Sequence, residues 1–422
     1  MPRPAPLVAI AVVAALLAVP CVGAAGEFEI QARSYSAQST WGIKHTLGLD
    51  KLWLMGRAVW LEKPTGAGVT VGVIDTGIDP SHPDLEGVLA PGGWKDFVGD
   101  AEGRKHAEPY DDHGHGTHVA GIIASRGHFQ PNPFSYYWIF GNRGIAPGAQ
   151  LLVAKAMNSR GLGDDAIVAK AIEWCMDPNG DGDLSDGADV INLSIGIENG
   201  APEKGRPTNA FVGAETKKAV MKAMKAGVVI VVSSGNDGKP TVAEPGAIHG
   251  VITVGALDGD GQPADFSNHG KHLDLMAPGI LVSTYPLHLD TFDFMQDGYV
   301  GMAGTSMAAP VVSATVALMM EADPSLQEKS LTRDLMKKVA VVERVLKSTA
   351  VPVSGASANL AGAGQVDAYA AVTSVDRGTS ELHWGAIILV SLLTLVVGTL
   401  LVRPFLQKKK TNRLLPPDEA GH

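Results

Sequence analysis

Between Val69 and Ala277, short apolar runs alternate with stretches whose apolar positions recur every three or four residues. VTVGVID (69–75), QLLVAKAM (150–157), ADVINLSI (188–195), GVVIVVSS (227–234) and GVITVGAL (250–257) read as strands buried on both faces. DAIVAKAIEWC (165–175) and ETKKAVMKAMKA (215–226) show helical spacing instead. Strand–helix alternation predicts an α/β fold, a mainly parallel sheet with helices on both sides. Ligands of such sheets sit at the carboxyl ends of the strands. Another apolar helix is predicted from Ser306 to about Glu321, and the aromatic, Gly- and Pro-rich residues 125–144 read as a long surface loop. The rings of that loop suit a lipid interface, the rim of a cleft, or simple packing onto the body.

The two ends break this pattern. Residues 1–24 combine one Arg, an apolar run and small residues near Ala24, which predicts a signal peptide. Gly385 to Val402 is an uncharged, mostly apolar run of 18 residues, about 27 Å as a helix and enough to cross a bilayer. Five basic residues against two acidic ones follow it. That asymmetry places the tail in the cytoplasm and the body outside the cell. The predicted organisation is signal peptide 1–24, lead-in or short propeptide 25–45, main domain 46–374, connector 375–383, membrane helix 384–402 and basic tail 403–422.

The chain carries a net charge of −10 with its positive excess in the tail. The body is therefore acidic, which argues against nucleic acid as a partner. Of two cysteines, Cys21 lies in the predicted leader, so the mature chain would hold Cys175 alone. An exported domain without a disulfide must draw stability from a large core or a bound metal.

Reactive side chains gather at three junctions. Asp75 ends a predicted strand, His113, His115 and His118 crowd DDHGHGTHVAG (111–121), and Ser306 opens an apolar helix within GTSMAAP (304–310). A serine hydroxyl attacks only when a base takes its proton, and the base needs an acid to hold its tautomer. Asp75-Thr76-Gly77 also spells an aspartic-protease signature, but that chemistry needs two carboxylates and no second D-T-G or D-S-G occurs.

VIDTGID (73–79), HGTHVAG (115–121), SSGNDG (233–238) and GTSMAAP (304–310), in this order, resemble the subtilisin-like serine proteases. GIAPGA (144–149), VINLSIG (190–196), DFSNHG (265–270) and GAGQVDAYAAV (362–372) extend the resemblance from about Trp41 to Val372. It implies a three-layer subtilisin-like fold and a serine endopeptidase acting on proteins or peptides. Asp75 matches the triad acid, His115 the general base, Ser306 the nucleophile and Asn236 the side-chain donor to the oxyanion. Ser194, Ile195 and Gly196 match one wall of the substrate cleft, and Ser159, Arg160 and Gly161 the strand opposite. His113 and His118 are expected to be structural.

Residues 177–186 carry Asp177, Asn179, Asp181, Asp183 and Ser185 with Gly182 between, copying the start of an EF-hand loop. Ala188 stands where the bidentate Glu would be. The loop is read as a Ca²⁺ site, the alternative being a solvated Asx-rich turn. Two function classes follow: a membrane-anchored extracellular endopeptidase, or a silent calcium-dependent binding ectodomain of the same fold. The presence of Asp75, His115, Asn236 and Ser306 together favours the enzyme.

Overall fold

Seven strands form one parallel sheet in the order β2-β3-β1-β4-β5-β6-β7. They are β1 (Thr70–Asp75), β2 (Leu89–Asp96), β3 (Gln150–Lys155), β4 (Val190–Leu193), β5 (Val229–Ser233), β6 (Ile252–Leu257) and β7 (Leu275–Pro278). The computed structural model describes residues 64–101, 106–127, 143–195, 213–291 and 297–375. The longer helices are α1 (His115–Ala124), α2 (Asp165–Met176), α3 (Ala214–Lys225), α4 (Thr305–Ala322), α5 (Met336–Thr349) and α6 (Ala368–Val375). An antiparallel hairpin of β8 (Ile280–Thr284) and β9 (Tyr299–Ala303) leads into α4.

Side chains alternate across a strand, so each continuous apolar run feeds two cores. Val71, Val73, Leu151, Val153, Val229 and Val231 pack in one layer with α1, α4 and α6. Ile74, Leu152, Ala154, Ile230 and Val232 pack in the other with α2 and α3. At about 1.5–3 kcal/mol for each large apolar side chain fully buried, the five predicted strands each help hold both helical layers. They are observed with their ends trimmed by a residue or more.

The central helix α4 is buried continuously from Thr305 to Met320. It is long and apolar enough to cross a membrane, but its window is 89% buried within the protein. It is the core helix against which β4, β5, β6 and β7 pack.

Strand β2 was not expected. Its sequence LAPGGWKD carries Pro91, Gly92 and Gly93, which read as a turn. It lies at the sheet edge with its register shifting between Leu89 and Trp94, where a missing N–H and an irregularity are tolerated. Cys175 is buried and free. The predicted signal peptide, lead-in, connector, membrane helix and tail lie outside the described residues, as does most of the aromatic loop.

Candidate active site

Because the sheet is parallel, the carboxyl ends of β1, β3, β4 and β5 share one edge, and Asp75, Lys155, Ser194 and Asn236 lie at or just beyond them. Asp75 is the last residue of β1 and is fully buried. Its Oδ1 accepts the Thr76 N–H at 2.7 Å and the His115 Nδ1 at 2.7 Å. Bonding at Nδ1 fixes the tautomer that leaves Nε2 as the basic nitrogen.

Helix α1 is pinned to the turn after β1. Asp111 does this from outside the helix: its Oδ1 accepts the N–H groups of His113 and Gly114, and its Oδ2 accepts the N–H and hydroxyl of Thr117. Burial disfavours its charge, but these bonds outweigh burial and hold its carboxyl below the usual range. Thr76 Oγ1 donates to Asp111 and accepts the Gly116 N–H at 2.9 Å. A Cβ at Gly116 would stand 2.2 Å from the Gly77 carbonyl oxygen, so the close approach that seats His115 over Asp75 requires glycine.

Burial opposes charging of His115, yet the charge and hydrogen bond of Asp75, with Asp111 behind, more than offset it and raise its pKa above 6.5. Its two neighbours go the other way. Burial first, then the charge of His115, pushes His118 down to about 3, and its Nε2 bonds the Val300 carbonyl at 3.0 Å. Burial and His115 likewise lower His113. The Asp75 carboxylate is bonded to the His115 imidazole.

Ser306 is the second residue of α4 and is 1% exposed. Its Oγ donates to the Ser194 carbonyl at 3.0 Å. Asn236 lies in the loop after β5 and is exposed. The Thr305 N–H and hydroxyl both donate to Asn236 Oδ1, at 2.8 and 2.9 Å. That orients the amide, and its Nδ2 lies against Gly304, two residues before Ser306. Asn236 Nδ2 and the Ser306 N–H thus both lie beside Gly304.

Ser194 and Ile195 follow β4 and are buried, Ser194 bonded to Ser306, while Gly196 lies outside the described residues. Ser159, Arg160 and Gly161 depart from the expected cleft strand. Asn158 Oδ1 accepts the N–H groups of Arg160 and Leu162, and Gly161 has a φ of 68°, so the segment is a tight turn. Ser159 and Arg160 are exposed, and only Gly161 approaches the candidate site, against the His113 ring. The motif match did not give the local backbone, which is a turn rather than a strand.

The acidic loop lies at the amino end of β4, the opposite edge of the sheet. Asp177 accepts the N–H groups of Gly180, Asp181 and Gly182, Asp181 that of Asp183, and Asp183 that of Ser185. Asn179 Nδ2 donates to Asp181. Slight desolvation, then the charges of Asp181, Asp177 and Asp183, raise the Asp186 pKa. No three His, Cys, Asp or Glu side chains converge into a metal-holding group among the described residues. Sequence reasoning missed Asp111, Thr305, Asn192 and Ser313, polar residues that act through bonds to distant chain segments. Only Asp111 left a signal, as an acidic residue three positions before Gly114, the N-cap of α1.

Comparison with known proteins agrees with this arrangement. Residues 66–371 match the subtilase family, peptidase S8. The chain is 35% identical over 294 residues to serine protease AprX of Bacillus subtilis, covering 65% of this chain and 61% of that protein. It is 35% identical over 277 residues to subtilisin DY of Bacillus licheniformis, covering 64% of this chain and 83% of the relative. With subtilisin Savinase of Lederbergia lenta it shares 33% identity over 308 residues, 73% of this chain and 91% of the relative. A parallel α/β sheet presenting Asp, His, Asn and Ser at one edge, joined to a family match across most of the chain, leads to one conclusion: the chain belongs to the subtilase family and is a serine endopeptidase.

Proposed function

We propose that Asp75, His115 and Ser306 form the catalytic triad of a membrane-anchored extracellular endopeptidase, with Asn236 as oxyanion donor. The observation carrying this reading is the buried 2.7 Å bond from His115 to Asp75 at the sheet edge from which α4 presents Ser306. In the proposed reaction the Ser306 hydroxyl turns from the Ser194 carbonyl and attacks the scissile carbonyl carbon while His115 Nε2 takes its proton. The Asn236 amide and the Ser306 N–H receive the oxyanion. His115 returns the proton to the leaving amine, and a water molecule activated by His115 hydrolyses the acyl-enzyme. Ser194, Ile195 and Gly196 on one side and Gly161 on the other would seat an extended peptide.

The raised His115 pKa has a sign that can be checked. A base must be neutral, so kcat/KM is expected to rise with loss of one proton at a pH above 6.5. Stability runs oppositely. The favourable interaction of charged His115 with Asp75 is fully present below 6.5 and fades as pH rises through the folded-state pKa. Asp75→Asn should lower that acid-limb pKa, and a limb that stays in place would remove Asp75 from its role.

Anchoring and export rest on the sequence of the two ends. The expected topology puts the body outside, so protease added to intact cells should remove it and spare the basic tail. Recovery of full-length soluble protein from the cytosol would contradict this. A nine-residue connector spans at most about 30 Å, which favours membrane-borne or surface-arriving substrates.

Calcium is the cofactor reading for Asp177, Asn179, Asp181, Asp183 and Ser185. Its support is an all-oxygen donor set and the crowding of like charges that raises Asp186. It requires the exposed side chains to turn inward from their present bonds to the loop backbone. Where Ca²⁺ stands at a hundred times its Kd, binding adds about 2.7 kcal/mol, so a chelator should lower Tm by several degrees. An unchanged midpoint would end the calcium reading.

A further inference from the structure

Helix α4 carries Pro310 in its interior. Proline has no N–H, so the Ser306 carbonyl four residues earlier lacks its helical donor. The sheet supplies one instead, because Ser194 Oγ donates to the Ser306 carbonyl at 2.8 Å. With its proton committed, the Ser194 hydroxyl accepts Asn192 Nδ2 at 2.9 Å. Ser313 Oγ, two turns along α4 from the nucleophile, donates to Asn192 Oδ1 at 2.8 Å. Asn192, Ser194 and Ser313 are fully buried and Ser306 nearly so, out of reach of bulk water.

A buried amide of this kind has two orientations, and its neighbours choose between them. Ser313 presents a proton, so Oδ1 faces Ser313 and Nδ2 faces Ser194. Reversed, the amide would draw the Ser194 proton to itself and leave the Ser306 carbonyl bare, which burial makes costly. Ser313 has a competing acceptor, the Ala309 carbonyl at 3.2 Å, the ordinary back-bond of a serine within a helix. The shorter bond is the one to Asn192.

We propose that Ser313 is a positioning residue for the nucleophile: by setting the direction of the Ser313–Asn192–Ser194–Ser306 chain, it holds the Ser306 backbone, and hence its hydroxyl and N–H, in register with the site. The inference rests on Ser306 being the nucleophile.

The test is a double-mutant cycle of Ser313→Ala and Ser194→Ala on a peptide amide substrate, with Ser313→Thr as the conservative variant. Ser313→Ala should lower kcat about 2- to 10-fold, the net worth of one hydrogen bond, with KM unchanged and fluorophosphonate labelling slower but complete. Ser313→Thr should restore most of kcat. In the Ser194→Ala background, Ser313→Ala should cost nothing more. If the two effects multiply, or KM alone moves, the proposal is overturned. A wild-type protein that neither cleaves nor labels would instead refute Ser306 as nucleophile. The network is then judged by a high-resolution crystal structure of Ser313→Ala: a reversed Asn192 amide supports it, and an unchanged Ser194–Ser306 bond overturns it.

Discussion

Ser306→Ala is expected to remove about six orders of magnitude from kcat, the scale on which subtilisin, a relative of this chain, loses activity when its triad serine is removed. The Ser194 hydroxyl beside it does not replace the lost oxygen, because it is committed to the Ser306 carbonyl. The fold should survive. The deleted Oγ makes one hydrogen bond, to the Ser194 carbonyl, and α4 keeps its apolar packing. Labelling by a fluorophosphonate probe should vanish while Tm shifts by no more than a few degrees. Labelling that persists on another serine would show the assignment to be wrong. His115→Ala should bring a comparable loss, and the double variant should be hardly worse than either single one, since these groups act as a unit.

Asn236→Ala should cost about a hundred- to a thousandfold in kcat, or roughly 2.7–4 kcal/mol of transition-state stabilisation, the range found in subtilisin for its asparagine. The amide has no function for its Oδ1 beyond receiving Thr305, whose N–H and hydroxyl clamp it from behind. That clamp aims Nδ2 before any substrate arrives, and preorganisation is what gives such a donor its strength. KM should change little, because the donor meets a charge that exists only on the way to the acyl-enzyme. A loss confined to KM would mean that Asn236 binds ground-state peptide instead. Thr305→Val, which removes one half of the clamp, should give a smaller loss in the same parameter.

Both residues were legible before any coordinates. Asp75, His115, Asn236 and Ser306 sit in short motifs whose order alone carried the assignment. The inner strands were legible for a different reason: runs such as VIVVS (Val229–Ser233) are apolar at every position, which only a strand covered on both faces requires. Strand β2 was hidden because an edge tolerates the Pro and Gly that elsewhere signal a turn. The cleft turn at Ser159–Gly161 was misread because Asn158 closes the backbone locally, against the extended form of the motif. The supports of the site were illegible in principle. Ser313 and Asn192 are 121 residues apart in sequence and Thr305 and Asn236 are 69 apart. Nothing in either local pattern announces such a pairing, which exists only once the sheet has ordered β4 beside β5 under α4.

The parallel sheet also divides labour by its polarity. All the candidate catalytic groups sit where strands end, whereas the acidic loop of Asp177 to Asp186 sits where β4 begins. Were the loop to hold Ca²⁺ as proposed, longevity and turnover would be addressed at opposite poles of the same strands. Lengthening, neutralising or grafting the loop would then change how long a molecule survives, while exchanges at the far pole would change how fast and on what it works. On that reading directed evolution would have two nearly independent libraries, and gains found in one should transfer to winners of the other.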